Sequence, residues 1–338
     1  MKAKIVSGNA PGGKRTPLAE VLPLDTPLVV QYFPIYACNF TCEYCYFAVP
    51  KDKRAFVSDW PIMKYDLYKR SIDEFTQFKD KLKTLRFVGM GEPLLHKDIA
   101  KMVDYAVSKN VAERVEILTN GSLLTREMSD DLIDAGLSRL VISLQGLTAE
   151  KYHEISNSKI DFDEFVSNIG YFYERKKDTH LYIKIVDYAL DSKNGEQQFY
   201  DIFGEICDSM AIENVVPIMP FLDYENVLPK KDEAKTQYGF SVPDVEVCPQ
   251  AFFTMQINPD GKVVPCYQIN YPGFMGDLNH QTVQEVWNGE GYRNFRLSML
   301  EGREQVNKVC RDCNFIKYRM FPEDDLSGVA DRLKGVYQ

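Results

Sequence analysis

Cys38-Asn39-Phe40-Thr41-Cys42-Glu43-Tyr44-Cys45 sets three thiols at spacings C-x3-C-x2-C, directly after an apolar, partly β-branched run at residues 28–33. Such a run reads as a buried strand, and a loop leaving the end of a strand is where β/α enzymes place their chemistry. Thiolates bind iron and zinc well, and spacings this short let one loop wrap its sulfurs around a single centre. Three cysteines leave one metal position open. In a 4Fe–4S cluster, that open iron is available to a substrate or cofactor. The competing reading is a structural zinc loop with its fourth ligand elsewhere, although closed zinc sites take four ligands, usually in paired C-x2-C spacing.

Downstream of this loop, strand-like and helix-like patterns alternate. Residues 84–88, 115–118, 139–144, 181–186 and 213–218 read as strands. Between them, Tyr68, Ile72, Phe75 and Phe78 recur at helical spacing, as a core-facing helix requires. Asp98 stands where it would cap a helix whose inner face is Ile99, Met102, Val103 and Ala106. Gly136 stops another helix, and residues 199–210 read as a further one. About six β/α units result, which implies a parallel sheet or barrel flanked by helices. Residues 1–27 read as an irregular lead-in and residues 28–220 as the repeating core. Residues 221–247, with Pro229, Pro243 and the run Lys230-Lys231-Asp232-Glu233, read as a linker. In residues 248–338, Pro259-Asp260-Gly261 between two apolar runs signals a β-hairpin.

Composition narrows the class. With 338 residues, 45% hydrophobic and 26% charged, the chain has material for one large and one small domain. A net charge of −9 without a Lys/Arg-rich block argues against a nucleic-acid partner. The N-terminus carries no apolar signal segment, and no apolar run approaches membrane-spanning length. A cytoplasmic location is therefore expected, where clustered cysteines serve as metal ligands or catalytic groups more often than as disulfides.

With Tyr44 before the third cysteine, the C-x3-C-x2-C motif resembles the signature of the radical SAM superfamily. The resemblance implies that Cys38, Cys42 and Cys45 hold a 4Fe–4S cluster whose fourth iron chelates S-adenosylmethionine, and that reductive cleavage gives a 5′-deoxyadenosyl radical. Gly89-Met90-Gly91-Glu92-Pro93 is similar to the family's Gly-Gly-Glu-Pro segment, which binds the cofactor's amino group, with Met90 in place of a glycine. Thr119-Asn120-Gly121 resembles the family's turn near the cofactor. Ser143 and Gln145 end the next strand, where the family often contacts cofactor ribose or carboxylate. Lys184 lies mid-strand and faces either the lumen, toward cofactor or substrate, or the outside. The implied fold is a partial (β/α)6 TIM-like barrel with a small C-terminal α+β domain.

Cys248, Cys266, Cys310 and Cys313 form a second set. On spacing alone they suit zinc or iron–sulfur. The hairpin, Val264-Pro265-Cys266, Gly276-Asp277-Leu278-Asn279 and Val286-Trp287 resemble the SPASM domain or its shorter Twitch form, which implies an auxiliary 4Fe–4S cluster with full cysteine ligation. Cys207 reads as a buried small hydrophobe. The expected activity is of oxidoreductase type: dehydrogenation of a sugar-like, cyclitol-like or carrier-linked small molecule, with the auxiliary cluster taking an electron and a flavodoxin or ferredoxin supplying reductant. Modification of a ribosomal peptide is the alternative, although the 37 residues before Cys38 are too few for a leader-recognition domain. A non-catalytic iron–sulfur or zinc protein is the reading from another class. No residue presents itself as a general base.

Overall fold

The computed structural model describes residues 1–6, 15–50, 58, 60–190, 194–218, 224 and 233–338. Part of the expected linker, including Lys230-Lys231-Asp232, lies outside the described residues.

The strands are β1 (Lys4–Ile5), β2 (Val29–Tyr32), β3 (Thr84–Phe87), β4 (Val115–Thr119), β5 (Arg139–Leu144), β6 (His180–Val186), β7 (Ser209–Glu213), β8 (Thr254–Ile257), β9 (Lys262–Val264) and β10 (Gly276–Asp277). They make one sheet in the order β1-β7-β6-β5-β4-β3-β2-β8-β9-β10. β2 to β7 run parallel with neighbours consecutive in sequence, the mark of successive β/α crossovers. The sheet does not close, since β1 and β10 are its two edges. This is a partial TIM-like barrel.

Period-two alternation sorts the strand side chains. Val30, Tyr32, Leu85, Phe87, Ile117, Leu140, Ile142, Leu181, Ile183 and Met210 are all fully buried in the main core. The inner faces of helices Tyr65–Phe75, Ile99–Ser108, Arg126–Asp134 and Phe162–Arg175 pack in the same core. The opposite, lumen-facing set is layered. Val141, Tyr182 and Ala211 form a small apolar cluster against Leu118. Toward the strands' C-terminal ends lie Ser143, Lys184 and Glu213, and toward the N-terminal ends Arg86, Glu116 and Arg139.

Four expectations need correction. The lead-in is not wholly irregular: β1 adds a parallel strand beside β7, and Leu18–Val21 forms a short helix. The helix expected at residues 199–210 is Gly195–Phe203, and the strand expected at 213–218 is β7. Val215-Val216-Pro217-Ile218 looks β-branched enough for a strand, but Pro217 has no N–H for a ladder; the chain is already leaving the sheet there. Asp98 occupies the N-cap position of Ile99–Ser108, but its side chain caps nothing and instead pairs with Lys101 at 3.2 Å.

The C-terminal region joins the barrel rather than standing apart. β8 pairs parallel with β2, Val29 opposite Thr254 through Tyr32 opposite Ile257. The predicted hairpin follows as β8–β9, with Gly261 at φ 88° in the turn.

Candidate active site

The cysteine loop leaves β2 and is stapled to its surroundings through backbone and side chain. Thr41 and Glu43 donate backbone N–H bonds to Ser156 and Ile155 (2.9 and 3.0 Å), and Cys45 N–H bonds Cys42 O at 2.9 Å. The Cys42 thiol donates to Gln145 Oε1 at 3.6 Å, the Tyr44 hydroxyl donates to the same oxygen, and Gln145 Nε2 returns to Ser143 O at 2.8 Å. Asn120 Nδ2 donates to Asn39 Oδ1 at 2.9 Å. The strand-end residues singled out from sequence thus brace the loop.

Gly89 and Gly91 are required by close approach. Gly89 has φ 133°, and a Cβ there would lie 2.3 Å from the Phe33 ring; a Cβ on Gly91 would lie 2.1 Å from Ile35 O. Glu92, 2% exposed, accepts from Leu94 N (2.9 Å), Thr119 Oγ1 (2.6 Å) and Asn120 N (2.7 Å). Burial raises its pKa despite these donors. Glu92 therefore clamps the end of β3 to the end of β4. Met90 packs against the buried cluster that contains Tyr46, Phe47 and Val216.

One cleft of about 1210 Å³, its open mouth included, gathers nearly all of these groups: Cys38, Cys42, Cys45, Gly89, Gly91, Glu92, Thr119, Asn120, Ser143, Gln145 and Lys184. Of the candidate cofactor contacts, only Met90 is missing from its wall. Lys184 faces the lumen, with its Nζ 2.7 Å from Glu213 Oε2. Gln237 Nε2 donates to that oxygen at 2.6 Å, while Glu213 Oε1 is buried without a hydrogen-bond partner among the described residues. Glu213, Gln237 and Arg319 all line the cleft. Sequence reading missed these three, because residues so far apart in sequence and without a motif give no local signal.

The three thiols suit a cationic cluster. Burial pushes Cys38 up to about 11 and Cys42 well above the ordinary range, and neighbouring sulfurs push the same way. Bare thiolates would be poorly stabilised here, so positive iron would supply the missing charge. Cys248, Cys266, Cys310 and Cys313 likewise ring one cavity of about 370 Å³ whose other walls include Ala251, Pro265, Phe295, Met299 and Ile316. Burial raises all four, Cys310 to about 12. All eight cysteines are free thiols. Among the described residues, no three His, Cys, Asp or Glu converge closely enough to grip a single ion. Each set instead lines a cavity. Cys207 is fully buried in the main core, away from both.

Comparison with known proteins agrees with this arrangement. Residues 32–188 match the radical SAM superfamily, and residues 248–314 match an iron–sulfur cluster-binding domain, SPASM. The chain belongs to the radical SAM superfamily and carries a C-terminal SPASM domain. It is an enzyme that works with S-adenosylmethionine and two 4Fe–4S clusters. Among curated relatives, it is 23% identical to a tungsten-containing aldehyde ferredoxin oxidoreductase cofactor-modifying protein of Pyrococcus furiosus, over 82% of this chain and 84% of that one. It is 22% identical to an S-adenosyl-L-methionine-dependent 2-deoxy-scyllo-inosamine dehydrogenase of Niallia circulans, over 82% and 88%. Streptococcus suis SuiB bound to S-adenosylmethionine shares the fold, with a TM-score of 0.60 and 18% identity over 87% of this chain and 72% of that one. SuiB has also been solved with its precursor peptide SuiA. Among the described residues, no helix is long and apolar enough to cross a membrane.

Proposed function

We propose that this enzyme is an oxidoreductase that dehydrogenates an alcohol carbon of a sugar-like, cyclitol-like or carrier-linked substrate. The observation that carries the reading is Glu213: a buried carboxylate in the cysteine-lined cleft with one oxygen unpartnered. In this reading Cys38, Cys42 and Cys45 hold the first cluster. Gly89, Gly91, Glu92, Thr119, Asn120, Ser143 and Gln145, with the backbone of Met90, shape the cofactor site. Cys248, Cys266, Cys310 and Cys313 hold the second cluster. Residues 28–220 form the core and 248–338 the auxiliary domain. When bound, these groups supply a hydrogen-abstracting 5′-deoxyadenosyl radical and a one-electron acceptor.

Alcohol oxidation removes a hydrogen atom, a proton and an electron from the substrate. Glu213 Oε1 is the group that accepts the hydroxyl proton, within reach of a substrate seated in the cleft. Lys184 and Gln237 fix the other oxygen and so aim the free one. The dehydrogenase relative supports the alcohol substrate. A reductant of the flavodoxin or ferredoxin kind starts each turnover.

The test is anaerobic incubation of reconstituted enzyme with S-adenosylmethionine, dithionite and a panel of cyclitols and aminocyclitols, read by liquid chromatography and mass spectrometry. 5′-Deoxyadenosine together with loss of two hydrogens from one panel member is expected. Cys42→Ala should make neither product. Glu213→Gln should still make 5′-deoxyadenosine while ketone formation falls by about 100-fold or more; an unchanged ketone yield would remove Glu213 from the scheme. The likeness to SuiB favours a second reading, modification of a ribosomal peptide. A mass change in a co-expressed peptide, with the alcohol panel inert, would establish it instead.

A further inference from the structure

Arg319 is a cation without a counter-ion among the described residues. It ends the helix Asn314–Arg319, which begins immediately after Cys313. Its Nε donates to Gln237 Oε1 at 2.7 Å. Its guanidinium lies 5.1 Å from the Phe315 ring centre and 5.6 Å from that of Tyr267. Those contacts fix its plane. No carboxylate among the described residues pairs with it, and its Nη groups have no protein acceptor there. Neighbouring cations have carboxylate partners: Arg15 pairs with Asp324 at 2.6 Å, Lys83 with Glu113 and Lys184 with Glu213, while Arg86, Arg114 and Arg139 share the single carboxylate of Glu116.

Arg319 also stands at a junction. It lines the cysteine cleft and a second cavity of about 1540 Å³ that runs past Gln31, Thr84, Arg86 and Gln250. A half-buried guanidinium held by Nε beside two aromatic rings presents a fork for a carboxylate or phosphate.

We propose that Arg319 receives an oxyanion, carboxylate or phosphate, carried by the substrate, with the rest of a long substrate lying in the second cavity. That the oxyanion belongs to the substrate rests on the cysteine cleft being the reaction site; binding of the anion itself does not.

Anaerobic calorimetry of the reconstituted holoenzyme with inorganic phosphate, and separately with acetate, tests this at constant ionic strength. The wild type should bind at least one of the two, and Arg319→Gln should bind it about tenfold more weakly or worse. Arg319→Lys, which keeps charge but loses the fork, should fall between them. Near-ultraviolet circular dichroism checks that both variants fold, and the lysine variant serves if the glutamine one does not. Equal affinity in wild type and variant, or no binding of either anion by the wild type, overturns the proposal. Titration of S-adenosylmethionine is the second arm. If Arg319→Gln weakens that cofactor as much as it weakens phosphate, the oxyanion is the cofactor's own carboxylate and the substrate assignment falls. An inert alcohol panel alongside Arg319-dependent anion binding would retire the dehydrogenation reading and leave the oxyanion site standing.

Discussion

Glu116 is fully buried on the lumen face of β4 and meets three guanidiniums: Arg86, Arg114 at 3.1 Å and Arg139 at 3.2 Å. Burial alone would raise its pKa, but the attraction of Arg86, Arg139 and Arg114 prevails and brings it down to about 2. A depressed carboxyl stabilises the fold above its ordinary value of 4.5, and that contribution is lost as pH falls toward about 2. Urea unfolding across this window should show the loss in wild type, and Glu116→Gln should lack that pH-dependent part. At neutral pH the variant should be less stable by about 3–5 kcal/mol, because buried Arg139 and half-buried Arg86 and Arg114 lose their counter-charge. A variant as stable as wild type would show that the cluster is solvated. Gly91→Ala forces a Cβ to 2.1 Å from Ile35 O, in a segment held by the 2.8 Å bond from Glu92 N to Ala37 O. The strand end must shift, so stability should fall by about 1–3 kcal/mol and S-adenosylmethionine should bind more weakly. Calorimetry reads both effects. The cysteines were legible at this scale because ligand spacing is local. Glu213 and Arg319 were not, because 106 positions separate them and only the folded lumen brings both to the same cleft.

Hydrophobic period identified the strands β2 to β6 and most of their helices, since one face of each is buried without interruption. It failed where two signals overlapped. Phe199, Phe203 and Met210 mimic one helical stripe, yet the helix stops at Phe203 and Met210 belongs to β7. The Asp-Gly turn was read correctly because the backbone there demands it. Gly261 has φ 88°, and an added Cβ would sit 2.8 Å from Asn279 Nδ2. Gly261→Ala should therefore cost about 1–2 kcal/mol from the left-handed backbone alone, read as a lower urea midpoint. An unchanged midpoint would mean that the turn relaxes freely.

The whole molecule is tied together more tightly than its two family matches suggest. Besides the β2–β8 ladder, Trp287 Nε1 donates to Leu24 O at 3.1 Å, Arg70 reaches Leu278 O at 2.7 Å, and Val283 N bonds Glu74 Oε2 at 2.9 Å. Removing residues 248–338 would bare the hydrogen-bonding edge of β2 and the apolar faces behind it, an invitation to edge-to-edge association. The truncated chain should elute as aggregate in size-exclusion chromatography, whereas the intact protein should melt in one calorimetric transition. A soluble monomeric fragment, or two resolved transitions, would indicate independent domains. Sequence reading saw the two regions but not their union, because strand pairing between distant segments leaves no trace in local pattern.

The shared sheet has a further consequence. The first cysteine loop leaves β2, and Cys248 and Cys266 flank the β8–β9 hairpin hydrogen-bonded to it. The first cysteine loop and two cysteines of the second set thus stem from neighbouring strands of one ladder. Close-packed protein hardly compresses. In the proposed scheme β2 and β8 act as a ruler that sets the gap an electron must tunnel, and a bulge inserted in either strand would change the rate of that transfer without touching a single cysteine.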